Sequence, residues 1–123
     1  MAFDWSGYLA VARFLASGEG HPPEEAARRS AVSRAYYAAF GSALRYAANN
    51  LRFDPSYKAE DHAVLRRCLA DYGMSEIAEA LEDLLDWRHR CDYRDYVDDL
   101  ARMADNAIES SQGVLAEIAR RLS

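Results

Sequence analysis

The residues best suited to chemistry cluster between Asp83 and Asp99, in the stretch DLLDWRHRCDYRDYVDD. Arginine, histidine, aspartate and tyrosine lie there within seven residues, from Arg88 to Arg94. Arginine binds phosphate or carboxylate with two parallel hydrogen bonds, and histidine or aspartate can move protons. A structural role is also open, since Arg88 and Asp92 are four residues apart and can pair along a helix.

Other kinds of site find less support in the same stretch. Cys91 lies beside Arg90, which would favour a thiolate, but no base or acidic orienting residue is apparent for it. The histidines are His21, His62 and His89, and their spacing fits neither a zinc nor a di-iron site. The sequence has no glycine-rich phosphate loop and no zinc-finger spacing. We therefore predict no metal and no cofactor.

A second notable stretch, SRAYYAAF from Ser33 to Phe40, lies in an alanine-rich segment typical of a helix. Neighbouring side chains on a helix point about 100° apart, so the two tyrosines must face different surroundings. The helical wheel assigns Tyr36 to a core stripe with Val32, Ala39, Phe40, Ala43 and Ala47. It assigns Tyr37 to a second face with Ser30, Arg34, Gly41, Arg45 and Ala48. Tyrosine and arginine on a face of small residues suggest an interface, whereas the simpler alternative is a solvated face.

Hydrophobic periodicity predicts helices along nearly the whole chain. The predicted spans are Asp4 to Ala16, Pro23 to about Asn50, Asp61 or His62 to Tyr72, one capped by Ser75 and reaching about Arg88, and one starting between Asp95 and Asp98. Val64, Leu65, Cys68, Leu69 and Tyr72 form the predicted inward face of the third helix. Without strand alternation, this pattern predicts an all-α up-down bundle of four to five helices in a single domain, residues 1–123.

The composition limits the classes of partner. The net charge is −5, and arginine supplies all but one of the fifteen basic residues. A non-specific nucleic-acid binder would usually be basic, so an RNA contact would need a local patch. Two isolated cysteines and the lack of a long apolar run or signal-peptide pattern predict a cytoplasmic protein with no membrane segment.

Together, SRAYYAAF on the long second helix and WRHRCDY (Trp87 to Tyr93) resemble the HEPN superfamily, and in particular its small stand-alone bacterial and archaeal members. The second segment carries the pattern R-x-x-x-D-Y. The resemblance spans essentially the whole chain and includes the mid-chain His62. It implies a bundle of four or five helices that commonly forms a homodimer.

The resemblance also implies alternative functions. Many HEPN proteins are metal-independent ribonucleases that use an Arg-x4–6-His motif, and some are toxins paired with a small nucleotidyltransferase antitoxin encoded nearby. Others lack the catalytic pair and bind nucleotides or serve as dimeric partners. Here Arg88 occupies the position of the motif arginine, but the histidine positions hold Tyr93, Arg94 and Asp95. A tyrosine titrates near 10, which suits acid–base catalysis at neutral pH poorly.

Three hypotheses follow for the function. The first is a non-catalytic or regulatory dimeric module that binds a nucleotide or a nucleotidyltransferase partner through Arg34, Tyr37, Arg88, Asp92 and Tyr93. The second is a divergent ribonuclease toxin acting on RNA through Arg88, His89, Arg90, Asp92 and Tyr93. The third is a purely structural helical interaction domain.

Overall fold

The computed structural model describes residues 2–18 and 24–123, and these residues form five helices with no strand. The helices are α1 (Gly7–Ala16), α2 (Glu24–Asn50), α3 (Asp61–Asp71), α4 (Ser75–Tyr93) and α5 (Leu100–Leu122). The predicted all-α bundle is confirmed. The predicted connection His21-Pro22-Pro23 and the predicted helix start at Pro23 lie outside the described residues. None of the five helices has the apolar length that a membrane crossing requires.

Helix α2 is the centre of the bundle and contacts each of the other four helices. Its buried face is mostly alanine, which lets neighbouring backbones approach closely. Tyr36 is only 1% exposed, whereas Tyr37 lies half-buried at the edge of the core. The prediction that Tyr36 lies in the core and Tyr37 on a different face is therefore confirmed. The rest of the predicted core stripe is also buried, except Phe40, which packs partly buried against it.

The segment before α1 lies against α2 through Trp5 and Gly41. A Cβ atom on Gly41 would come within 2.0 Å of the Trp5 ring, so only glycine leaves room for the indole at this contact. Trp5 in turn contacts Phe3 and Tyr8, with ring centroids 5.0 Å and 5.8 Å away. This packing holds the start of α1, and with it Tyr8, against the second face of α2.

Several helix boundaries differ from the predicted ones, and α1 begins at Gly7 rather than at Asp4. Ser75 is the first residue of α4 rather than its N-cap, which is Met74, and no side chain caps that end. The C-terminal end of α4 extends past Arg88 to Tyr93, because the charged residues there form pairs along one helix. One of these pairs joins Asp86 to Arg90 at 2.8 Å. As a result the last helix starts only at Leu100.

The buried face of α3 is narrower than predicted. Leu65 and Leu69 are fully buried, but Val64 is 45% exposed and Tyr72 is 53% exposed. Helix α3 packs mainly against α4 and less against α2, so it needs only a narrow apolar stripe.

Candidate functional site

A cavity of about 600 Å³ opens between α1, α2 and α4. The side chains of Val11 and Leu15 on α1 supply an apolar wall. The polar lining comes from α2 and α4 and includes Arg29, Ser33, Arg34, Tyr37, Arg88 and Asp92. Three arginines and one aspartate give this lining an excess of positive charge, although the chain as a whole is acidic.

Arginine and tyrosine side chains alternate across the cavity in a continuous series of cation–π contacts. The guanidinium carbon of Arg34 lies 5.1 Å from the ring centroid of Tyr8 and 5.2 Å from that of Tyr37. The guanidinium carbon of Arg88 lies 5.0 Å from the ring centroid of Tyr37 and 5.7 Å from that of Tyr36. The series links α1, α2 and α4, and each contact adds roughly 0.5 to 2 kcal/mol. It fixes both guanidinium groups next to the same tyrosine.

Arg34 has no anionic partner within 4.0 Å in the described part of the chain. Among residues 2–18 and 24–123 it forms neither an ion pair nor a hydrogen bond, and its contacts are with the two tyrosine rings. The contact with an aromatic ring does not use the N–H donors of a guanidinium, of which arginine has five. Arg34 therefore presents donors to the cavity with no internal acceptor competing for them.

Arg88 is held from two sides. Its Nε donates to the carboxylate of Asp92 at 3.1 Å, which confirms the predicted pair along α4. The other oxygen of Asp92 accepts a hydrogen bond of 2.7 Å from the Ser33 hydroxyl on α2. The side chain of Arg88 is only 15% exposed. This network fixes the guanidinium but leaves its terminal N–H groups available.

His62 contacts Tyr36, the last ring in the series of cation–π contacts. The hydroxyl of Tyr36 is hydrogen-bonded to Nδ1 of His62, and the imidazole stacks on Phe40 with centroids 4.4 Å apart. Burial, together with the positive charges of Arg88 and Arg66, lowers the pKa of His62. Burial also raises the pKa of Tyr36 well above its usual value. Both groups are therefore neutral at neutral pH, and His62 packs against Tyr36 without lining the cavity.

Asp61 positions His62 at the start of α3. Its buried carboxylate accepts hydrogen bonds from the backbone N–H and hydroxyl of Ser56 and from the backbone N–H of Tyr57, at 3.0, 2.7 and 2.8 Å. These bonds, led by the Ser56 hydroxyl, lower the pKa of Asp61. They hold the loop between α2 and α3 in one shape, even though Tyr57 adopts a left-handed backbone with φ of 60°.

Arg29 has a structural role at the rim of the cavity. Its guanidinium donates to the backbone carbonyls of Cys91, Arg94 and Asp95 at 2.9, 2.5 and 2.9 Å. Carbonyls at the C-terminal end of a helix lack partners within the helix, and a cation there is also favoured by the helix dipole. Arg29 thus caps α4 and fixes the end that carries Asp92.

The predicted site residues separate into two groups. Arg34, Tyr37, Arg88 and Asp92 line the cavity together. Tyr93 does not, since it is 76% exposed and its ring lies near His89, with centroids 6.1 Å apart. Arg90 pairs with Asp86 and borders a smaller cavity at the end of α4. Of the five residues named for a ribonuclease, only Arg88 and Asp92 face the main cavity.

Cys91 also lines the cavity, as a protonated thiol. It is 3% exposed, and burial raises its pKa to about 11. Its sulfur contacts that of Met103 at 3.6 Å. A nucleophilic cysteine needs a thiolate at working pH, so this environment suits packing rather than catalysis.

Sequence reasoning missed Tyr8, Arg29 and Ser33 as parts of the site. A usable signal existed for two of them, because Arg29, Ser33 and Tyr37 follow one another at four-residue spacing and so share one face of α2. No local pattern in the sequence could have placed Tyr8 beside Arg34, since that contact depends on how α1 packs on α2.

Comparison of the chain with protein-family models, with curated proteins and with solved structures gives no match. The resemblance to HEPN proteins therefore remains an expectation from the sequence.

Proposed function

We propose that this chain is a HEPN-like, non-catalytic module that binds a nucleotide in the cavity between α1, α2 and α4. The observation that carries the proposal is the position of Arg34 and Arg88, both fixed against the ring of Tyr37. Arg34 has no anionic partner among the described residues, and Arg88 uses only its Nε for Asp92. A phosphate group could accept hydrogen bonds from both arginines.

Preorganisation supports phosphate binding at this position. Long arginine side chains lose conformational entropy when they are fixed on a ligand, and here the aromatic contacts have already restricted them. Phosphate accepts two parallel hydrogen bonds from one guanidinium, which favours arginine over lysine. The half-buried setting also strengthens the attraction relative to open solvent.

The size and lining of the cavity favour a mononucleotide over a bare anion. A volume of about 600 Å³ exceeds what one phosphate needs and lies in the usual range for small-ligand sites. Val11 and Leu15 offer apolar surface opposite the arginines, where the base of a nucleotide could pack. The local excess of positive charge attracts the phosphate despite the net charge of −5.

Calorimetric titration with adenosine monophosphate tests this proposal. Arg34→Ala should weaken binding about tenfold or more, because it removes a charge-assisted contact. Arg34→Lys keeps the charge but loses the paired donors, and should give an intermediate affinity. Arg67→Ala is the matched control, since Arg67 is exposed on α3 and away from the cavity. Absence of binding to the wild type, or equal loss in Arg34→Ala and Arg67→Ala, would contradict the proposal.

The partners in the proposal rest on the resemblance to HEPN proteins. They are a second copy of the chain and a small nucleotidyltransferase encoded nearby. Light scattering on the purified chain tests the homodimer, and co-purification with the product of a neighbouring nucleotidyltransferase gene tests the partner. A monomer that binds no such product would limit the proposal to nucleotide binding.

A ribonuclease is the second candidate function, and one contact favours it. Arg88 and a histidine belong to one network, because the ring of Tyr36 contacts Arg88 while its hydroxyl bonds to His62. Neutral His62 could accept a proton from a 2′-hydroxyl if the site rearranged around RNA. Cleavage of RNA by the wild type, lost in both Arg88→Ala and His62→Ala, would favour this candidate over the non-catalytic module.

A further inference from the structure

Asp92 places one negative charge inside a cavity built to attract anions. One carboxylate oxygen accepts from Ser33 at 2.7 Å, and the other accepts from Arg88 at 3.1 Å. A carboxylate has about four acceptor positions, so about two remain unused. The Asp92 side chain is 31% exposed and lines the cavity, where water can reach these positions in the free protein.

Asp92 should affect the affinity of a phosphate ligand differently depending on whether the ligand has a hydroxyl group near its phosphate. A ligand bound to Arg88 brings its phosphate close to Asp92, since Asp92 itself touches that guanidinium. If the ligand has no nearby donor, it displaces water from Asp92 and leaves the carboxylate facing a second anion. A ligand with a hydroxyl group next to its phosphate replaces the lost water with a hydrogen bond.

We propose that Asp92 determines specificity by accepting a hydrogen bond from a sugar hydroxyl, so that the cavity selects a ribonucleotide over a nucleotide without ribose hydroxyls. This inference rests on the proposed nucleotide binding. The hydroxyls of the ribose are the donors nearest to the phosphate in a nucleotide, whereas the amino group of a base lies farther away. A binding site that forms a hydrogen bond to a ligand hydroxyl rejects analogues without that hydroxyl, because the polar group of the site is then left unpaired.

The test compares adenosine monophosphate with 2′,3′-dideoxyadenosine monophosphate, which has the same base and phosphate. The wild type should bind the first about tenfold more tightly, as expected for one hydrogen bond to a charged acceptor. Asp92→Ala should bring the ratio of the two dissociation constants close to one. Asp105→Asn, which removes an exposed charge on α5, should leave the ratio unchanged.

The possible outcomes distinguish the role of Asp92 from the proposed nucleotide binding on which it rests. A wild type that binds both nucleotides equally, or an Asp92→Ala protein that keeps the preference, would overturn the role of Asp92 while leaving nucleotide binding intact. A wild type that binds neither nucleotide would overturn both. If Asp92→Ala fails to fold, Asp92→Asn decides instead. Its Oδ1 can accept from Arg88 while its amide N–H donates to the Ser33 hydroxyl oxygen, and it should reduce the preference because a neutral amide is a weaker acceptor.

Discussion

The guanidinium carbon of Arg88 lies 5.0 Å from the ring centroid of Tyr37. Arg34 contacts the same ring at 5.2 Å, so one tyrosine holds two cations that would otherwise repel each other. Only one carboxylate, that of Asp92, is paired with either of them among the described residues. Two neighbouring guanidinium groups with unused donors are suited to binding an anion, and this is the basis of the proposed function.

Two substitutions of Tyr37 should distinguish how much its ring and its hydroxyl each contribute to nucleotide affinity. Tyr37→Phe keeps the ring and should bind adenosine monophosphate within about twofold of the wild type. Tyr37→Leu removes the ring from both arginines and should weaken binding about tenfold or more, since each of the two lost contacts contributes roughly 0.5 to 2 kcal/mol. Calorimetric titration measures both. Equal affinities for Tyr37→Leu and Tyr37→Phe would show that the ring does not prepare the arginines.

Protein stability should fall as the solution is made acidic, because folded His62 resists protonation. Its pKa in the folded state is lowered from 6.5, mainly by burial. Between the two pKa values the unfolded chain binds a proton that the folded chain does not, so the free energy of unfolding decreases as pH falls through this window. Above about pH 7 neither state binds the proton, and this contribution disappears.

Urea unfolding at about pH 7.5 and about pH 5.5 measures the effect of His62. The wild type should lose stability between the two conditions, and His62→Gln should lose less. The comparison isolates His62 because the other two histidines are present in both proteins. If the variant shows the full pH dependence of the wild type, another group is responsible.

Asp61→Ala should lower the free energy of unfolding by about 1 to 3 kcal/mol. The change leaves the backbone N–H groups of Ser56 and Tyr57 without their acceptor and loosens the loop that precedes His62. Thermal or urea unfolding measures the loss. Glu60→Ala is the control, since Glu60 is the exposed neighbour and its loss should change stability by only a few tenths of a kcal/mol.

Alanine at Gly41 should displace Trp5, because the new methyl group would overlap the indole. A glycine-to-alanine change inside a helix normally adds about 0.5 to 1 kcal/mol to the free energy of unfolding. A lower free energy of unfolding in Gly41→Ala would therefore indicate the overlap with Trp5. Gly113→Ala on α5 is the matched control, with open space around the new Cβ, and should be stabilising. In a Trp87→Phe background, the fluorescence of Trp5 should shift to longer wavelength only in Gly41→Ala. An unchanged spectrum would refute the contact.

The sequence alone predicted the helices and the division of work between Tyr36 and Tyr37, because both follow from periodicity within one segment. It also predicted the pair of Arg88 with Asp92, which depends only on helical spacing. It could not place Tyr8 against Arg34 or His62 against Tyr36, since these contacts join different helices. Tyr93 is adjacent to Asp92 in the chain but lies outside the cavity, because neighbouring side chains on a helix point about 100° apart.

The most direct test of the account observes the arginines themselves. In a spectrum of the arginine Nε–H groups labelled with ¹⁵N, adenosine monophosphate should shift the signals of Arg34 and Arg88, assigned by substitution. The signals of Arg67 and Arg102, which are exposed on α3 and α5, should stay in place. Shifts confined to arginines outside the cavity, or no shift at a saturating concentration of the nucleotide, would contradict the proposed site.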